Sequence, residues 1–125
     1  MSDRELVITN YVTAYNNCDV DAMVADFDET IIFQNIVNDE VTMELCGLEE
    51  FRQQAEQAIQ VFSSRKQSIK TFIHNENWSE IELDYYGVMA VDLPNGMKNG
   101  DELNLSGKSV FEFYDNKITR LTDIS

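Results

Sequence analysis

The last strand-like segment of the sequence could place a carboxylate inside the fold. In KITRLTDIS, residues 117–125, strand alternation puts Leu121, Asp123 and Ser125 on one face. Burial of that face among apolar side chains would disfavour the charged form of Asp123 and raise its pKa towards the range of a general acid or base. The alternative is a structural Asp that binds a backbone amide or faces water. The opposite face would carry Ile118, Arg120, Thr122 and Ile124.

Three acidic residues, Glu80, Glu82 and Asp84, lie at strand spacing in WSEIELDYY. Hard cations need oxygens that converge on one point, whereas residues two apart on a strand lie about 7 Å apart along a line. We therefore predict no metal site and no cofactor, and we expect the acidic row to face outward. Cross-strand partners would be Lys70, Lys108 and Arg120, and the inner row would be Ile81, Leu83 and Tyr85.

Other residue types that often do chemistry are sparse. His74 is the only histidine, and no Gly-x-Ser-x-Gly motif supplies a nucleophile beside it, so a strand-end histidine near solvent is expected. Cys18 and Cys46 show neither CxxC spacing nor a nearby histidine, which indicates two reduced, part-buried thiols rather than a redox or zinc site.

Length and charge limit the classes of protein. The chain has 125 residues, which predicts a single domain over 1–125, and its 23 acidic against 9 basic residues give a formal net charge of −14. A surface of that charge repels phosphate backbones and anionic lipid, so neither nucleic acid nor membrane is an expected partner. No 18-residue apolar run and no basic, apolar leader occur, so a cytoplasmic location is expected.

Helical spacing marks two segments near the N-terminus, with a polar corner between them. A helix is predicted over Asp3–Asn16, with Ser2 and Glu5 at capping-box spacing. Asp19 then offers a side-chain oxygen to cap a second, short helix. The apolar face of that helix would be formed by Val20, Met23, Val24 and Phe27.

A third helix and six strands follow from the apolar pattern. The segment GLEEFRQQAEQAIQVF, residues 47–62, has a clear amphipathic stripe. Strand composition marks TIIFQNIV, EVTMEL, SIKTFIH, WSEIELDYYGVMAVDL, DELNLSGKSVFEFY and KITRLTDI. Gly87, inside the fourth of these, is typical of a bend or bulge. Two helices, two strands, a long helix and four strands predict an α+β fold, a cone-shaped curved antiparallel or mixed sheet with three helices on its concave face.

The chain resembles the nuclear transport factor two-like superfamily, specifically its SnoaL-like and ketosteroid-isomerase-like branch. The resemblance rests on YVTAYNNCDVDAMVADF, on GLEEFRQ and on GKSVFEFYDNKITRLTD, in that order, and it covers nearly the whole chain. Cys18 stands where the family usually has Gly. The resemblance implies a cystatin-like α+β barrel, a pocket inside the cone and a homodimer through the outer sheet face. Outward candidates for that contact are Phe72, Val110 and Tyr114.

The resemblance also assigns candidate catalytic residues. Tyr11 matches the tyrosine that donates a hydrogen bond to the substrate oxygen, and the Asp123 row is directed inward, so Asp123 and Tyr11 are the catalytic candidates. The isomerase base would fall on Gln34 or Asn35, whose amides cannot accept a proton at neutral pH. The second acid of the isomerase falls on Ser109. Isomerisation by the arrangement known in that branch is therefore not expected. Further residues expected to line the pocket are Tyr15, Asn35, Tyr85, Ser109, Phe111 and Leu121.

Three hypotheses about function remain open from the sequence. The first is an acid-base enzyme of isomerase, cyclase or lyase type, acting on a small, largely apolar carbonyl molecule. The second is a pocket that binds such a molecule without reaction. The third is a non-catalytic homodimerisation or association module whose cone is filled by its own aromatic side chains.

Overall fold

Helices and strands follow the predicted order in the computed structural model, which describes residues 3–125; Ser2, and with it the capping box, lies outside that part. The elements are α1 (Asp3–Asn16), α2 (Val20–Met23), β1 (Phe27–Val37), β2 (Glu40–Cys46), α3 (Leu48–Val61), β3 (Phe62–His74), β4 (Trp78–Met89), β5 (Glu102–Tyr114) and β6 (Lys117–Ile124). None of the described helices is long and apolar enough to cross a membrane.

The six strands form one mixed sheet in the order β2-β1-β6-β5-β4-β3. Neighbouring strands are antiparallel except β1 and β6, which run parallel. The predicted α+β class and mixed sheet are confirmed. The sheet stays open, with β2 and β3 at its edges, so the barrel does not close.

The polar corner between α1 and α2 is built as predicted. The Asp19 carboxylate accepts a hydrogen bond from the backbone N–H of Ala22 at 3.1 Å and caps α2. Cys18 adopts the left-handed conformation (φ +55°), which favours glycine. Cys18 and Cys46 are both exposed, so the prediction of part-buried thiols is wrong.

Aromatic side chains join the helices to the concave face of the sheet. The Tyr11 ring of α1 stacks on Phe27 (ring centroids 5.6 Å apart) and meets the edge of Phe111 of β5 (5.8 Å). Phe51 of α3 contacts Phe27 edge-to-face at 4.9 Å. These rings belong to one continuous core cluster, which fixes both long helices against the sheet.

Two register shifts reverse the predicted facing of residues on β3 and β6. Lys70 is an extra residue in the β3–β4 pairing, and beyond it Phe72 packs against the core, so its predicted place on the outer face is wrong. Thr119 is the extra residue in the β5–β6 pairing, and Ile118 is fully buried instead of facing outward. Arg120 and Asp123 keep the predicted faces because they follow the shift.

The acidic row of β4 faces outward as predicted. Ile81 and Leu83 are buried between its members, and cross-strand cations lie nearby. The Lys108 ammonium is 4.0 Å from Glu80, and that of Lys70 is 3.6 Å from Asp84. Arg120 pairs instead with Glu112, at 3.6 Å. Two members of the row, Glu80 and Asp84, are therefore paired with lysines of neighbouring strands.

His74 ends β3 and is bound on both sides of its ring. Its Nε2 lies 2.7 Å from a carboxylate oxygen of Glu5, and its Nδ1 lies 2.7 Å from the Ser79 hydroxyl. The expected strand-end position is confirmed. These contacts join α1 to the edge of the sheet.

Two glycines permit close approach inside the sheet. Gly87 lies in an unshifted β4–β5 register, so the expected bulge is absent there; a Cβ at Gly87 would lie 3.0 Å from the Phe62 ring. A Cβ at Gly107 would lie only 2.6 Å from the Ile124 carbonyl oxygen. Because backbone cannot move aside as a flexible side chain can, Gly107 is required for the β5–β6 contact.

We predict that Gly107→Ala lowers the free energy of unfolding by about 1–3 kcal/mol, the usual cost of overpacking. Asn104→Ala, at an exposed position of the same strand, is the control and should change it by less than about 0.5 kcal/mol. Urea unfolding of the two variants checks this. Equal stability of Gly107→Ala and the wild type would contradict the close approach.

Candidate functional site

A cavity of about 670 Å³ lies between the concave face of the sheet and the helices. Its size falls within the range of small-molecule sites. Most of its lining is apolar or aromatic, with a few polar groups between. The lining includes Tyr11, Tyr15, Met23, Phe33, Asn35, Leu45, Phe51, Ala55, Phe62, Arg65, Gln67, Leu83, Tyr85, Leu103, Ser109 and Asp123.

Asp123 stands on the cavity wall in a row of polar residues across three strands. The parallel register pairs it with Asn35 of β1, and the antiparallel register pairs it with Ser109 of β5. The Ser109 hydroxyl donates a hydrogen bond to Asp123 Oδ1 at 2.7 Å. Burial by the surrounding protein raises the pKa of Asp123 to about 6, against the lowering effect of the Ser109 hydrogen bond. Asp123 is half-buried overall, and it is one of the residues that line the cavity.

Tyr11 lines the same cavity from α1. Its ring is held by the core aromatics, and its hydroxyl makes no hydrogen bond within residues 3–125. Burial raises the pKa of the Tyr11 hydroxyl above its usual value; the negative charge of Asp123 raises it further, and Arg65 opposes this shift. Tyr11 is thus a neutral hydroxyl donor within electrostatic reach of Asp123.

Tyr15 and Tyr85 form a second polar group on the cavity wall. The Tyr15 hydroxyl donates to that of Tyr85 at 3.2 Å, and the two rings meet edge-to-face. Burial raises the pKa of both phenols. Both residues line the cavity, where the sequence predicted them.

The other predicted residues are divided between the cavity and the core. Asn35 lines the cavity and its amide donates to the Thr42 hydroxyl at 2.9 Å. Ser109 also lines the cavity and is buried, with 3% of its surface exposed. Phe111 and Leu121 are fully buried in the core, outside the residues that line the cavity. Neither side chain lines the cavity, where the prediction of ligand binding had placed them.

Arg65 is a cavity residue that the sequence analysis missed. It lies on β3, is only 7% exposed, and places its guanidinium carbon 3.7 Å from the centroid of the Tyr15 ring. The predicted third strand began at Ser68 and the predicted third helix extended to Phe62, whereas β3 begins at Phe62. Residues 63–67, SSRKQ, are polar and lack the apolar and β-branched residues that predict a strand. The available signal was the alternation that continues backward from Ile69 through Gln67 to Arg65.

The chemistry supported by this arrangement is proton transfer. Asp123 can take or give a proton near neutral pH, and Tyr11 can donate a hydrogen bond inside an apolar space. No group of three or more His, Cys, Asp or Glu side chains suited to a metal ion occurs within residues 3–125.

Structures of known proteins share this architecture. An uncharacterised cystatin-fold protein from Novosphingobium aromaticivorans has a TM-score of 0.74 at 19% identity, with 100% of this chain and 99% of that chain covered. A proposed polyketide cyclase from Xanthomonas campestris pv. campestris has a TM-score of 0.75 at 22% identity, with 99% and 93% covered. A protein with a ketosteroid isomerase-like fold from Catenulispora acidiphila, in complex with trimethylamine, has a TM-score of 0.76 at 13% identity, with 94% and 82% covered.

At these identities the likeness shows the fold alone. A comparison with curated proteins finds no match. The sequence pattern of the SnoaL-like domain matches residues 8–121, which is nearly the whole chain; the match contains α2, α3 and β1 to β5 and ends within β6, before Asp123. The chain therefore belongs to the SnoaL-like domain family.

Proposed function

We propose that this protein binds a small, largely apolar carbonyl compound in its cavity and catalyses a proton transfer of isomerase or cyclase type. The observation that carries the proposal is a carboxyl group, Asp123, whose pKa is raised to about 6 on the wall of an apolar cavity. Enzymes hold catalytic carboxyl groups in this range by burial. The similar structure named as a proposed polyketide cyclase adds support at the level of fold.

The proposed step divides the work between two residues. Ionised Asp123 removes a proton from the carbon next to the carbonyl group, and the Tyr11 hydroxyl donates a hydrogen bond to the oxygen as negative charge builds there. Protonated Asp123 then returns the proton to another carbon of the same molecule. In the cyclase case, the enolate carbon instead attacks a second carbonyl group within the molecule, and protonated Asp123 gives its proton to the alkoxide oxygen that forms. The Ser109 hydroxyl holds the Asp123 carboxylate in place at 2.7 Å.

This assignment differs from the known steroid isomerase arrangement. The resemblance places that base at Gln34 or Asn35, and the Gln34 amide donates a hydrogen bond to the Glu44 carboxylate at 2.5 Å. Neither amide can serve as a base. The proposal therefore moves the base to β6, where Asp123 lies beside Asn35 in the parallel register.

We predict that Asp123 titrates with a midpoint near 6 and that Ser109→Ala raises the midpoint further. The reason is that burial raises the pKa of Asp123 while the Ser109 hydrogen bond lowers it, so removing the hydroxyl leaves burial unopposed. Carboxyl NMR of Asp-labelled protein measures both midpoints. Ser106→Ala, a cavity position whose hydroxyl binds Asp84, is the control and should leave the midpoint unchanged. A wild-type midpoint near the ordinary value of about 3.9 would remove the basis for catalysis.

We predict that the protein accelerates exchange of the protons next to the carbonyl of 1-tetralone in D₂O, followed by NMR. The rate should rise with pH through about 6 and level off above it, because ionised Asp123 is the active form. Asp123→Asn should lower the rate by about 100-fold or more, and Tyr11→Phe by about tenfold or more.

Tyr114→Phe is the matched control for Tyr11→Phe, since Tyr114 is 78% exposed and lies outside the cavity. Its exchange rate should equal that of the wild type. If 1-tetralone binds and no variant or wild-type protein accelerates exchange, the cavity is a binding site without this reaction.

An association role is the second candidate. We infer that two copies pair through the outer sheet face, on which Tyr114 is 78% and Ile73 46% exposed and Val110 is half-buried. Large exposed apolar side chains on a sheet face are typical of a contact surface. Light scattering should give the mass of a dimer for the wild type and a monomer for Val110→Asp. A monomeric wild type would rule this pairing out. The open cavity also argues against a cone filled by its own aromatics.

A further inference from the structure

Arg65 carries a positive charge on the cavity wall without a carboxylate partner in the described part of the chain. Its Nε and Nη2 atoms are buried and have no hydrogen-bond partner within residues 3–125. Its guanidinium lies over the Tyr15 ring instead, with the guanidinium carbon 3.7 Å from the ring centroid. A ring face attracts the cation and leaves all of its N–H groups unused.

A buried guanidinium with unpaired N–H groups costs free energy unless a ligand supplies hydrogen-bond acceptors. Buried charges in proteins are normally paired and hydrogen-bonded, because burial removes the water that would otherwise solvate them. Asp123 faces the same cavity and is bound to Ser109 instead of Arg65. The cavity therefore contains a separate acid and a separate cation.

The free atoms of Arg65 point to the shape of the missing partner. Nε and Nη2 form one edge of the planar guanidinium, and their N–H groups run side by side. That edge matches the two oxygens of a carboxylate, which accepts two parallel hydrogen bonds. Because both atoms are buried, a small rotation of the side chain away from Tyr15 is needed for the edge to meet a ligand.

The surroundings fit an apolar molecule with one anionic end. Tyr15, Tyr85 and Phe62 lie near Arg65 on the cavity wall and supply aromatic surface. Lys108 also borders the cavity, but it is exposed and lies 4.0 Å from Glu80. Arg65 is therefore the buried cation available to the ligand within residues 3–125.

Arg65 and Asp123 lie at different depths of the cavity. Arg65 pairs in register with Gly87, whereas Ser109, the partner of Asp123, pairs with Ile81. Gly87 and Ile81 are six residues apart on β4, about 20 Å along an extended strand. The charges of both Arg65 and Asp123 act on the pKa of the Tyr11 hydroxyl, so Tyr11 lies within electrostatic reach of each.

We propose that the ligand of this cavity carries a carboxylate, which Arg65 binds, while its apolar body extends towards Tyr11 and Asp123. This inference rests on the proposed function for the reacting end, but the Arg65 site is defined by binding alone. The protein as a whole repels anions because its net charge is −14. Tighter binding of an anionic ligand would therefore indicate a specific site.

The test compares two probes of equal shape, 2-naphthoate and naphthalene-2-carboxamide, by calorimetry at neutral pH and physiological ionic strength. We expect the wild type to bind the carboxylate at least about tenfold more tightly, because a charged, forked pair forms only with that probe. Arg65→Met, which keeps an unbranched apolar stem, should bind both probes equally. Arg65→Gln is a second neutral variant in case the first does not fold.

Two further variants make the result specific. Arg52→Met removes an arginine that pairs with Asp21 at 2.7 Å outside the cavity lining, so it should keep the wild-type preference. Lys66→Met should also keep it, since Lys66 is an exposed cation next to Arg65 on β3 and lies outside the cavity lining. Retained carboxamide binding shows that the cavity of each variant is intact.

The proposal is overturned if the wild type shows no preference for the carboxylate, if the preference survives in both Arg65 variants, or if neither probe binds. A carboxylate preference that depends on Arg65, together with no proton exchange on 1-tetralone, would support this site and contradict the proposed reaction. Proton exchange that depends on Asp123, without a carboxylate preference, would support the proposed reaction and contradict the Arg65 site.

Discussion

The parallel pairing of β1 with β6 is the constraint on which the site depends. It joins the first hairpin of the sheet to the last strand, across a sequence separation of more than two thirds of the chain. The pairing sets Asn35 beside Asp123, and the antiparallel neighbour β5 adds Ser109 on the other side. Without it, β1 and β2 would lose their place in the sheet, and the cavity would lose the wall that carries Phe33 and Leu45.

The cavity contains charge at an energetic cost. A rise in the pKa of Asp123 from 3.8 to about 6 corresponds to about 3 kcal/mol against the ionised form in the folded protein. The Ser109 hydrogen bond limits this cost without cancelling it. The guanidinium of Arg65 lies over the Tyr15 ring, but its Nε and Nη2 atoms have no hydrogen-bond partner among the described residues. Stability of the fold must come from elsewhere, chiefly from the aromatic core around Phe27.

The aromatic core and the cavity share side chains, which links stability to the site. The Tyr11 ring packs against Phe27 and Phe111, while its hydroxyl end faces the cavity. Phe51 likewise contacts Phe27 and borders the cavity. The packing that holds the helices on the sheet therefore also fixes the direction of the Tyr11 hydroxyl.

Local patterns determined the elements and the faces of the regular strands. The Asp19 cap, the order of helices and strands, and the inward facing of Ile81 and Leu83 all followed from short-range spacing. Only the tertiary structure decided the facing of Phe72 and Ile118, because the extra residues Lys70 and Thr119 shift register against neighbouring strands. It also decided the place of Arg65: a charged residue in a polar run is directed into an apolar cavity by the strands and helix packed around it, and no local preference of the chain encodes that burial.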